Sequence, residues 1–153
     1  MTSLFALTIS NVFIINMWAS SIGTNSASNF AVLKDIFELN MKLKLFNKNE
    51  AKKFLFLIKD FKKRGNNEEL TRAKLEQDMK RIWSECEMPD KYKDRHPADV
   101  FKFEFAFFPD FFYEREEFDE QVKKLKARFD RNAPNTLFED GERLPIDGLP
   151  ELV

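Results

Sequence analysis

Three short apolar runs, Val12–Trp18, Phe54–Lys59 and Phe101–Phe107, alternate along the chain with three stretches of helical periodicity. That alternation restricts the possible folds more than any other feature of the sequence. Each run is too short for a typical helix and is rich in β-branched or aromatic residues, as expected of a strand buried on both faces of a sheet. Phe30–Phe46 sets Phe30, Leu33, Phe37 and Met41 along one stripe. Leu70–Cys86 places Leu75, Met79, Ile82, Trp83 and Cys86 at helical spacing, and Glu114–Phe129 does the same with Phe118, Val122, Leu125 and Phe129. Buried strands alternating with amphipathic helices predict an α/β fold with a mainly parallel sheet and flanking helices. The end of a further helix is expected at Thr2–Ser10, and Trp18 is expected in the core. Ser20–Asn29, Asp60–Glu69 and Met88–Val100 read as loops, Asn47–Lys53 as a charged connector, and 130–153 as an irregular tail holding three of the six prolines.

The scarce residues set the exclusions. One Cys and one His leave no internal disulfide, no multi-Cys metal site and no two-His metal motif, so neither a metal ligand set nor a catalytic constellation is expected. Gly23, Gly65, Gly141 and Gly148 are too far apart for a glycine-rich phosphate loop of known type. The net charge of −1 gives no global field toward nucleic acid or anionic lipid. The lysines between Lys42 and Lys53, and Lys62-Lys63-Arg64, are interleaved with acids and read as a solvated face.

Leu4–Ala19 is mostly apolar, but Thr8, Ser10, Asn11 and Asn16 interrupt it. A membrane span needs about 20 apolar residues, so none is expected. No basic residue precedes Lys34, which argues against a secretory leader, although Ala19-Ser20-Ser21 keeps one open as the alternative.

Ligands of parallel sheets bind beyond the carboxyl ends of the strands. Three places therefore matter: Asn16–Ser21, Lys59–Lys63 and Phe107–Phe111. At Lys59-Asp60 a carboxylate can accept two hydrogen bonds from an amidine-like edge, such as guanine N1–H and its exocyclic amine. The lysine stem can lie along the base plane. A polar pair that merely ends a strand is the competing reading. Phe107, Phe108 and Pro109, opening the run to Tyr113, either wall a base pocket or cap the core. Cys86 lies on an apolar stripe and His96 in a charged loop, so a Cys–His dyad is not expected.

Several of these pieces, in order, resemble one known family. Leu4-Phe5-Ala6-Leu7, Ile15-Asn16-Met17-Trp18, Ile22-Gly23, Phe56-Leu57-Ile58-Lys59-Asp60, Gln77–Trp83, Leu125–Phe129 and Asp147–Pro150 are similar to a stretch of the root-hair-defective-three and Sey-type dynamin-like GTPases, relatives of atlastins. The resemblance implies a partial G-domain-like three-layer fold over residues 1–153, the C-terminal half of a GTPase domain. It assigns Lys59-Asp60 to the family's Arg-Asp guanine motif, with Lys59 giving up the planar guanidinium that stacks well. It implies GTP or GDP as ligand, with Mg²⁺ handled in the intact family only. It further implies homotypic dimerisation through the G domain, fusion of endoplasmic reticulum membranes and residence on the cytosolic face of that organelle. The family's phosphate loop, switch threonine and D-x-x-G motif have no counterpart among these residues. The chain alone is therefore expected to lack turnover and to be poorly soluble, as a truncated gene product or a degenerate copy. A non-catalytic α/β interaction module is the alternative.

Overall fold

A computed structural model describes residues 10, 12–24, 27–43, 52–62 and 67–138. The order is β1 (Val12–Trp18), α1 (Ala27–Leu43), β2 (Lys52–Lys59), α2 (Glu68–Glu85), β3 (Phe101–Phe107) and α3 (Arg115–Ala127), with three short 3-10 turns. The sheet runs β1-β2-β3 and is parallel throughout. The α/β architecture read from the alternation is the one observed. The helix expected at Thr2–Ser10 falls almost wholly outside the described residues.

Both crossovers step to the next strand in the same direction. Because such connections are right-handed, α1 and α2 must lie on the same face. The packing agrees. Phe37 of α1 stacks on Phe101 of β3 at 4.9 Å and meets Phe54 of β2 edge-on at 5.7 Å. Trp83 of α2 meets both Phe37 and Phe101 edge-on. Strand alternation puts Phe54, Phe56 and Ile58 on this face together with Phe101, Phe103, Phe105 and Phe107. The other face carries Glu104, whose carboxylate accepts a 2.9 Å hydrogen bond from Arg128, just past α3. α1 and α2 thus form a layer on one face of the sheet, while α3 reaches the other side through Phe118 against Phe108 and through Arg128.

Helix limits follow from capping. α2 starts at Glu68, two residues before the apolar pattern suggests, because the Asn67 side chain accepts from the Glu69 and Leu70 amides. β2 also starts early. Lys52 and Lys53, expected in a connector, are strand residues and are buried. Lys52 reaches out of the sheet to donate to the Ser10 carbonyl at 3.2 Å. The long alkyl stems let a lysine occupy a strand end while its charge finds oxygen. In the tail, Leu137 is buried and its amide donates to the Arg128 carbonyl, tying 130–138 back to the end of α3.

Two expectations about β1 are corrected. It is not buried on both faces, since Ile14 is 49% exposed. Nor is Trp18 a core residue, being 51% exposed. β1 pairs only with β2 among the described strands, and its even-numbered residues point away from α1 and α2. The doubly buried strand is β2.

Candidate functional site

Where β2 ends, its ladder with β3 carries one residue too many. The Phe108 amide donates to the Ile58 carbonyl at 2.8 Å, and the Phe108 carbonyl accepts from the Phe61 amide at 2.9 Å. In a regular parallel ladder the two partners of one residue are two positions apart. Here they are three apart, so Lys59-Asp60 forms a bulge. Asp60 absorbs it with φ +53, and it is the one described non-glycine residue with positive φ. The bulge also returns Phe61 to the core side, where it is buried with its ring 4.7 Å from that of Phe107.

Left-handed backbone disfavours a β-branched side chain far more than Asp or Gly. Asp60→Val is expected to lower stability by about 1–2 kcal/mol, while Asp60→Gly stays within about 0.5 kcal/mol of the parent. Urea unfolding of the two variants checks this, and equal losses would mean that Asp60 does not adopt this conformation.

The side chains around the bulge divide by role. The Asp60 carboxylate makes no hydrogen bond or ion pair with another described residue. Lys59 lies opposite Trp18 in the β1–β2 register, with Nζ 4.2 Å from the centre of the indole. Phe108 is buried against Phe118, and Phe107 packs between Phe61 and the Arg72 guanidinium. Pro109 is buried as well. The rings of Phe107 and Phe108 thus serve the core, and it is the Phe108 backbone that braces Asp60. The aromatic surface of this loop lies further on. The Asp110 carboxylate accepts from the Phe112 and Tyr113 amides, and those two side chains are 86% and 89% exposed. A separate open cleft of about 770 Å³ between the turn at Ile22-Gly23 and α2 includes neither Lys59 nor Asp60.

Sequence reasoning missed Trp18 as a neighbour of Lys59. The signal was present: both residues end apolar runs that pair in parallel, so equal register puts them side by side.

Cys86 and His96 are each engaged elsewhere. The Cys86 thiol donates to the Ile82 carbonyl at 3.2 Å, and His96 Nδ1 accepts from the Ala98 amide in a capping box closed by Asp99. Burial, with the nearby Glu38 charge, pushes the thiol from 9.0 up to about 12. The thiolate is the reactive form, so Cys86 is expected to resist a disulfide reagent at pH 8 until the chain unfolds. Thiol kinetics with and without denaturant test this. The proton linkage has a definite sign. Above the unfolded thiol's pKa of 9.0 the unfolded chain loses a proton that the folded chain keeps, so stability is full below 9.0 and falls as pH rises toward about 12.

Residues 1–151 match the family described as the root hair defective 3 GTP-binding protein (RHD3) GTPase domain. The chain is 39% identical over 152 residues to protein SEY1 homolog 1 of Entamoeba histolytica, covering 96% of this chain and 15% of that protein. It is 35% identical over 151 residues to the SEY1 homolog of Dictyostelium discoideum, covering 96% and 17%. Against SEY1 homolog 1 of Trichomonas vaginalis it is 34% identical over 148 residues, covering 96% and 18%. The chain therefore spans less than a fifth of the length of these relatives.

Proposed function

The chain belongs to the RHD3 GTPase domain family, and on that premise we propose that it recognises guanine nucleotides through Asp60. The unpaired Asp60 carboxylate, held in a bulge at the carboxyl end of a parallel sheet, carries the proposal. A carboxylate there accepts from guanine N1–H and the exocyclic amine together. Adenine has no such donor pair, so selectivity follows from hydrogen-bond chemistry alone. The Lys59 stem lies along the base plane, and its point charge stacks less well than a guanidinium would. The Phe108 backbone braces this edge of the site, with Phe107 and Pro109 buried on either side of it.

The proposal extends to the whole protein. There, GTP binding and hydrolysis drive homotypic fusion of endoplasmic reticulum membranes, with dimerisation through this domain on the cytosolic side. Membership of the family supports this extension. No described helix is long and apolar enough to cross a membrane. Residues 1–153 supply the base-reading part of the GTPase domain.

A second reading has its own support. Phe112 and Tyr113 project into solvent from a loop pinned by Asp110, as the contact tip of a non-catalytic interaction module would. Calorimetric titration with GDP and with ADP separates the two. GDP binding at least tenfold tighter than ADP binding supports guanine recognition, and equal or absent binding favours the module.

A further inference from the structure

Trp18 ends an apolar run and looks like a core residue, yet its indole is half exposed and sits beneath the Lys59 ammonium. We propose that Trp18 is a positioning residue for the base site: its ring holds Lys59 and so keeps the ammonium from pairing with the adjacent Asp60 carboxylate. This rests on the reading of Asp60 as the guanine-binding group.

The physical problem is local. Any lysine next to a base-reading carboxylate is a competitor for it, because an ammonium on a flexible stem satisfies the same oxygens that the base must reach. An exposed ion pair and an exposed cation–π contact are of similar strength. A ring placed under the lysine therefore decides which one forms. Register supplies that ring, since Trp18 and Lys59 are directly paired across the parallel strands. The bulge supplies the separation. Lys59 keeps its strand orientation toward Trp18, while Asp60 turns out of the ladder at φ +53. No ion pair joins Lys59 to Asp60 or to any other described residue, in keeping with a cation already occupied by an indole.

That position 59 is a lysine and not an arginine gives the ring its importance. A guanidinium is planar and weakly hydrated and stays stacked without help, whereas an ammonium is a mobile point charge. Trp18 restores to Lys59 part of the fixed pose that a guanidinium has by its own shape.

The test uses the 153-residue chain in two arms. Without nucleotide, the Lys59 side-chain methylene resonances should be shifted upfield by the indole ring current, and Trp18→Leu should return them to their ordinary positions. With GDP as probe, Trp18→Leu should raise the Kd about fivefold, and Trp18→Phe, which keeps a ring, by about twofold. In a Lys59→Met background, Trp18→Leu should change the Kd by less than about twofold, because the competing ammonium is gone. A purely structural role for Trp18 would cost the same in both backgrounds, and that result overturns the proposal. So does an unshifted Lys59 in the free protein. If the unsubstituted chain shows the ring-current shift but binds no GDP, the guanine reading of Asp60 fails and the role of Trp18 fails with it. If GDP binds and Trp18→Leu leaves the Kd unchanged, only the role of Trp18 fails.

Discussion

Phe54→Ala is expected to remove about 4 kcal/mol of folding stability, a large share of the roughly 5–15 kcal/mol that a domain holds. Phe54 is fully buried in the middle of the central strand. Its ring touches Phe13 on β1, Phe37 on α1, and Phe101 and Phe103 on β3. Truncation therefore opens a cavity where one helix and all three strands meet, and little can collapse into it without moving the sheet. The aromatic pairs lost with the ring add to the plain cost of burial, about 0.5–1.5 kcal/mol for each pair that is well oriented. Thermal unfolding followed by circular dichroism should show the midpoint falling by about 10 °C or more. Phe112→Ala is the control, since that ring is 86% exposed and its removal should leave the midpoint in place. A fall of less than about 1 kcal/mol for Phe54→Ala would mean that β2 is not the packed centre of the fold.

Asp60→Ala should weaken GDP binding about a hundredfold while leaving the weak ADP background unmoved. Two charge-assisted hydrogen bonds are lost, and two donors of the base lose their acceptor. Asp60→Asn is the sharper test. Its amide presents one acceptor and one donor, so it conflicts with the guanine amine but matches a base bearing a carbonyl at that carbon. The variant should therefore lose GDP and gain affinity for xanthosine diphosphate. An Asn variant that binds GDP as the parent does would refute the role assigned to the carboxylate. Because Asp60 is held by backbone pairing on both sides, through Ile58 and Phe61, these substitutions test recognition without dismantling the fold.

Much of this architecture can be read from the residues. β1 and β3 occupy the runs Val12–Trp18 and Phe101–Phe107, and the stripe Leu75, Met79, Ile82, Trp83 is the buried face of α2. These are legible because apolar run length and period 3.6 are local properties. Features that depend on neighbours are not. Trp18 has the composition of a core residue, and only the position of β1 at the end of the described sheet exposes it. Lys52 and Lys53 read as connector because charge suggests solvent, whereas their stems pack in the ladder. Of the site, the pair Lys59-Asp60 is visible as a polar strand end. The bulge that aims it is not, since Asp tolerates left-handed backbone without requiring it.

The surplus residue in β2 has a consequence for how damage to this protein would show itself. Deleting Asp60 would leave Phe61 two places after Ile58, on the side of the sheet where its ring already packs, and Phe108 would find both partners at regular spacing. The shortened chain should fold at least as well as the parent. A screen for heat resistance, expression or protease survival would pass it, and so would natural selection acting on folding alone. On the proposed reading of Asp60, base recognition rests on a residue that the scaffold itself does not need.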